Sequence, residues 1–180
     1  MKLPTTDNPG RAEIENGDIE IRDLGIRDIA GFSVLRHQLA RDGRFVLPEF
    51  DEIVSSKDSF PEQVARTLND PLKKRLVALY RGRVAGFVSA TLVDGHARHL
   101  AIGISEAFTG RGIGRSLMDA LESWARASGA QRLELRVLVQ NERAIALYQR
   151  CGFAIEGHMR GEFCIGGKLV DAYAMGKLLS

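Results

Sequence analysis

Apolar residues return along this chain with two distinct periods. Ile29, Phe32, Leu35 and Leu39 recur every three or four positions, as do Leu117, Leu121 and Trp124, and each set predicts a helix with one apolar face. Ile19-Glu-Ile21 alternates with a period of two and predicts a short strand. The runs at 76–80, 84–93, 97–105 and 133–138 read as strands, and Arg81-Gly82-Arg83 between the first two is a compact hairpin signal. Two more strands, at about 153–159 and 168–177, are joined through Gly166-Gly167. Asp23 is a candidate cap for the first helix, which Arg41-Asp-Gly43 ends. Pro61 suits the first turn of a second helix reaching to about Asn69. Ser128-Gly129 stops a third helix, and Asn141 caps a fourth that runs through Arg150 to a turn at Gly152. The order β-α-α-β-β-β-α-β-α-β-β predicts an α/β fold on a mixed sheet, in a single domain over residues 19–180. Residues 1–18 hold turn clusters and little apolar content, and are expected to form a flexible arm.

Composition narrows the function. With 180 residues, 44% hydrophobic and 27% charged, the chain is expected to be one soluble domain with its own core. A net charge of +2 is too small to argue for nucleic acid or an anionic membrane. No apolar run reaches the roughly 18 residues that span a bilayer, and the first residues lack the apolar core of a signal peptide. Cys151 and Cys164 have no ligand spacing with the four histidines, so free thiols, a cytoplasmic location and no metal site are expected.

The chemistry concentrates at residues 102–117. An apolar strand breaks on Gly110, Gly112 and Gly114 and continues as a helix. A strand, a glycine turn and a helix N-terminus together make an anion site, because the first N–H groups of a helix lack partners and the helix dipole adds positive potential. Glycines reach φ > 0 and let a phosphate approach the amides, while Arg111 and Arg115 stand ready to add charge at the rim. A tight packing turn with no ligand is the plainer reading. A Walker A loop needs Gly-x4-Gly-Lys-Ser/Thr, and no lysine follows any of these glycines. The dinucleotide spelling Gly-x-Gly-x-x-Gly fails too, since its third glycine falls on Arg115 or Leu117.

Thr109-Gly-Arg-Gly112-Ile-Gly114 resembles the acetyl-CoA loop of the GNAT superfamily of N-acetyltransferases, Gln/Arg-x-x-Gly-x-Gly/Ala, departing only at Thr109. Asn141-Glu-Arg-Ala-Ile-Ala-Leu-Tyr148-Gln-Arg-Cys-Gly-Phe153 resembles the second motif of that superfamily almost letter for letter. The likeness covers about residues 75–178. It implies a mostly antiparallel central sheet with helices on both faces and a splay between the strands at 97–105 and 132–138. It also implies that Thr109, Gly110, Arg111, Gly112, Ile113, Gly114 and Arg115 hold the pyrophosphate of acetyl-CoA. Ile102, Gly103 and Ile104 would pair with the pantetheine arm, Asn141 would touch that arm besides capping its helix, and Tyr148 would be the general acid toward the departing sulfur. Tyr148 lies seven residues after Asn141, two helical turns, and so on the same face; as a core tyrosine it would be unremarkable.

The resemblance further implies acetyl transfer from acetyl-CoA to a primary amine, by direct attack in a ternary complex. The acceptor would be a small molecule or a protein N-terminus, and a homodimer would be in keeping with the superfamily. No general base is assignable: Arg136 and Ala101 stand where two branches carry glutamate, which leaves His99 and Glu134 as candidates. Arg160 is a candidate for a substrate carboxylate, or a plain surface residue. The alternative in a different class is a non-catalytic acyl-CoA-binding regulatory module, in which Tyr148 is structural.

Overall fold

A computed structural model of the protein describes residues 18–41, 62, 65, 68, 70 and 72–179. The predicted arm, apart from Asp18, and most of the helix predicted at 61–69 lie outside these residues, as do the aromatics at 45–60.

The described chain runs β1 (Ile19–Asp23), a 3-10 turn (Ile26–Asp28), α1 (Ile29–Arg41), β2 (Lys73–Tyr80), β3 (Arg83–Asp94), β4 (Ala97–Ile104), a second 3-10 turn (Glu106–Phe108), α2 (Ile113–Ala127), β5 (Arg132–Leu138), α3 (Glu142–Arg150), β6 (Ala154–Ile165) and β7 (Lys168–Leu178). The strands form one sheet in the order β1-β2-β3-β4-β5-β7-β6. Every neighbouring pair is antiparallel except β4 and β5, which run parallel and are bridged by the crossover through α2. The fold is the mixed α/β arrangement that the apolar pattern predicted.

The two faces of the sheet carry separate cores. Leu100, Ile102, Leu133, Leu135 and Val137 pack with Leu117 and Leu121 of α2 and with Tyr148 of α3. On the opposite face Val77 and Phe87 pack with Phe32, Leu35 and Leu39 of α1. Strand alternation forces this division: Leu100 and Ile102 point to the α2 side, so His99 and Ala101 point to the α1 side.

The β4–β5 pairing is short. It consists of Ala97–Arg132, Arg98–Leu133 and His99–Glu134, and it ends there although both strands continue. Beyond that rung the strands diverge, which is the predicted splay. The outer edge of β4 remains paired to β3 as far as Ile104, and that of β5 to β7 as far as Leu138, so the gap opens inside an otherwise continuous sheet.

Two boundaries differ from the sequence reading, each for a local reason. Asp23 does not cap α1. Asp28 serves the turn instead, accepting from the Gly25 N–H at 2.9 Å and from Arg22 Nη2 at 2.9 Å; Asp28 is buried, and its hydrogen bonds to Arg22 hold its carboxyl below the usual range. Strand β6 does not stop near 159 but continues to Ile165 through bulges at 155–157 and 159–163. Gly161 makes the second bulge possible with φ +61°, and its N–H donates to Asp171 on β7 at 2.8 Å.

Gly103 is fixed by packing. A Cβ there would stand 2.4 Å from Leu39 Cδ1 and 2.6 Å from Phe87 Cε1, because the Phe87 ring lies over its β3–β4 partner and meets Phe32 edge-on at 5.0 Å. Gly103→Ala therefore overpacks this core, and denaturant unfolding should show a loss of about 1–3 kcal/mol. An unchanged midpoint would contradict this packing.

Candidate active site

The gap between β4 and β5 opens into a cavity of about 810 Å³. Its wall on the β4 side runs from His99 to Ile104, Arg136 to Leu138 line the β5 side, and α3 contributes Leu147 and Tyr148. The glycine turn lines it as well, so a helix N-terminus and the inner edges of two separated strands meet in one space.

The glycines of the turn are there for two different reasons. Gly110 and Gly112 have φ of +75° and +76°, and nothing lies within 4 Å of where their Cβ atoms would be. They supply the left-handed backbone that turns β4 into α2, and they leave open space in front of the turn. Gly114 is a packing residue: a Cβ there would meet Ile104 Cδ1 and Leu147 Cδ2, each at 2.9 Å. Its bareness lets α2 lie close to β4 and α3. Gly112 is the N-cap and offers no side-chain cap, and Ser116 N–H to the Gly112 carbonyl, 3.1 Å, is an early helical bond. The N–H groups of Ile113, Gly114 and Arg115 precede it, without a carbonyl of the helix to bond.

Tyr148 and all the predicted cofactor-binding residues line the cavity except Gly103 and Arg111. Arg111 turns away, its guanidinium 5.2 Å from the centre of the Tyr80 ring. Arg115 is at the rim but already engaged, donating to both Asp119 oxygens at 2.9 Å and to the Arg150 carbonyl at 2.9 Å. The Thr109 hydroxyl donates to the Glu106 carbonyl at 2.7 Å and closes the 3-10 turn. Backbone N–H groups, rather than these engaged side chains, are therefore the donors that the turn leaves available. Asn141 is an N-cap whose Oδ1 accepts from the Ala144 N–H at 3.2 Å, and it also lines the cavity. Its two readings are compatible.

Tyr148 is 6% exposed, packs 6.1 Å from the Phe153 ring and lines the cavity. No hydrogen bond within the described residues occupies its hydroxyl. Burial pushes the phenol well above its ordinary range, and the neighbouring Cys151 adds to the shift. Tyr148 is thus a neutral O–H donor at any physiological pH.

Of the base candidates, His99 lines the cavity and Glu134 does not. They face each other on the last paired rung, His99 Nδ1 3.8 Å from Glu134 Oε1, and Glu134 is also met by Arg132 at 3.4 Å. Arg160 is not among the lining residues, whereas Arg136 and Phe163 are. The periodicity of α3 could have supplied Leu147, beside Tyr148. Phe163 had no such signal, since it reaches the site only by way of the β6 bulge.

The model of the acetyltransferase (GNAT) family matches residues 40–153. The chain belongs to this family. Among its relatives is the L-amino acid N-acetyltransferase AaaT of Escherichia coli K12, 31% identical over 121 residues, with 63% of this chain and 73% of that protein covered. The spermidine N(1)-acetyltransferase of Vibrio cholerae is 27% identical over 143 residues, covering 77% of this chain and 83% of that one. In three dimensions the chain is similar to a GNAT-family acetyltransferase from Streptococcus pneumoniae, with a TM-score of 0.77 and 28% identity over 90% of this chain and 99% of that one. The protein is an acetyl-CoA-dependent N-acetyltransferase of the GNAT family.

The burial of Tyr148 has a measurable consequence at high pH. Its folded pKa lies above the unfolded value of about 10, so its burial stabilises the fold fully below pH 10 and progressively less as pH rises toward the folded value. Denaturant unfolding of the wild type should lose stability above about pH 10 more steeply than that of Tyr148→Phe. Parallel alkaline slopes in the two proteins would show that this phenol is not buried.

Proposed function

We propose that the protein moves the acetyl group of acetyl-CoA to a primary amine by direct attack within a ternary complex. The observation that carries this reading is the β4–β5 gap, which joins a glycine turn at a helix N-terminus to a buried, neutral tyrosine. Acetyl-CoA presents a pyrophosphate, an arm with two amides and a thioester, and each has a counterpart in the gap. The N–H groups after Gly112 suit the pyrophosphate. The inner edge of β4 over residues 102–104 suits the arm as an added strand, with Gly103 entering through its backbone alone. Asn141 would touch the arm.

In the transfer the amine nitrogen attacks the thioester carbon, the C–S bond breaks and the sulfur leaves with the bonding pair. The nitrogen gives up one proton and the sulfur gains one, so amide and free thiol are the products. Tyr148 would donate to the sulfur as charge develops there. At ordinary pKa values, moving a proton fully from a phenol to a thiolate costs about 2 kcal/mol, and burial of Tyr148 raises that cost. The phenol therefore acts as a hydrogen-bond donor or in a concerted step, without a lasting tyrosinate. Holding amine and thioester together supplies much of the remaining rate.

The acceptor must present a neutral nitrogen. A lysine-type amine is neutral about once in 2,500 molecules at pH 7, whereas an α-amine is neutral for roughly 14%. An α-amine thus needs less help from a base, which suits a site where His99 is the one candidate base lining the cavity. Among the described residues no helix is long and apolar enough to cross a membrane. Cys151 and Cys164 are both free, in keeping with a cytoplasmic setting.

Tyr148→Phe should lower kcat by about 100-fold or more while leaving affinity for CoA within about twofold, read by thiol release and by ligand-induced stabilisation. Unchanged turnover in this variant would remove Tyr148 from the chemistry and favour a structural role for it.

A further inference from the structure

Arg136 is the permanently charged group on the wall of the gap opposite Ala101. Extending the register Ala97–Arg132 by four residues brings Ala101 level with Arg136, both on the α1 side of the sheet. The strands no longer pair there, and among the described residues the small side chain of Ala101 does not cover the guanidinium. On β7 the partner of Arg136 is Ala174, again too small to cover it. Phe163 completes an apolar border.

The guanidinium is under-used. Of its five N–H donors, Nη1 makes one long bond to the Leu135 carbonyl at 3.5 Å. Nε is buried without a hydrogen bond, although it lies 3.5 Å from Glu162 Oε1. Glu162 balances part of its charge without saturating its donors. A planar fork of spare donors in a cavity wall matches an oxyanion such as a carboxylate, held through two N–H groups.

The strand carboxylates of the same face are poorly suited to a polycation. On β5 and β6, Glu134 has Arg132, Glu156 has Arg132 at 2.9 Å, and Glu162 has Arg136 as cationic partners. The α2 side carries the glycine turn and Tyr148, so Arg136 stands across the sheet from them.

We infer that Arg136 binds the carboxylate of the acceptor, which makes the acceptor an amino acid or a similar carboxylate-bearing amine. This rests on the transferase reading and names its acceptor class. The test compares kcat/KM for each L-amino acid with that for its methyl ester, and with spermidine, in the wild type, Arg136→Gln and Arg136→Lys. The free acid should be preferred in the wild type. Its own negative charge makes its amine more basic and less often neutral, so that bias runs against the expected result. Arg136→Gln should raise KM for the acid by about 10- to 100-fold with kcat nearly kept, and Arg136→Lys should recover part of the loss. The ester should be unaffected by either substitution. Esters or spermidine used as well as acids by the wild type would overturn the inference without any variant, as would an equal loss in Arg136→Gln on every acceptor. In both cases the transferase reading survives. Absence of thiol release with every amine, while acetyl-CoA still binds, would instead overturn the transferase reading and this inference together.

Discussion

Strands β4 and β5 stop pairing after the His99–Glu134 rung, and the site is a consequence of that interruption. A strand in the middle of a sheet normally has both edges satisfied, because a buried backbone N–H or carbonyl without a partner is costly. Here the inner edges at 100–102 and 136–138 face a cavity, while the outer edges stay bound to β3 and β7. The fold keeps the gap open by supporting it from both flanks. The α2 crossover joins the two strands at one end, and Gly114 lets the start of α2 seat against Ile104 and Leu147. An extended ligand with amides along its length is the natural complement to such an edge.

The gap also divides the chemistry between the two faces of the sheet. On the α2 side are the helix N-terminus, Asn141 and the neutral phenol of Tyr148, which suit a thioester donor and its phosphates. On the α1 side are His99, Arg136 and Phe163, which suit a polar acceptor. Strand alternation enforces the division, since adjacent residues such as Leu100 and Ala101 point opposite ways.

Much of this was legible in the sequence because the signals are local. The glycine turn, the Asn141 cap and Tyr148 two turns later are fixed by spacing within single elements. The family likeness that these motifs carry also pointed to the splay. What escaped depended on partners distant in the chain. Arg111 lies over Tyr80, and Arg115 donates to Asp119 and to the Arg150 carbonyl, contacts that the glycine turn itself does not announce. Gly103 is bare for the sake of Phe87, sixteen positions earlier and next to it only through β3–β4 pairing. Phe163 reaches the cavity by a bulge that Asp171 holds from the neighbouring strand, which no pattern within β6 announces. The sequence around Arg136 shows only an arginine where the resemblance implies a glutamate; its spare donors depend on Ala174 and Glu162 from other strands.

The central claim is that the gap between β4 and β5 receives acetyl-CoA through the amides of the glycine turn. Thermal unfolding with acetyl-CoA, CoA, ATP and NAD at equal concentrations tests it most directly. A ligand that binds only the folded protein, at about 100 times its dissociation constant, adds about 2.7 kcal/mol of stability. The account predicts a clear upward shift with both CoA forms and little or none with ATP or NAD. No shift with either CoA form, or an equal shift with all four ligands, would contradict it.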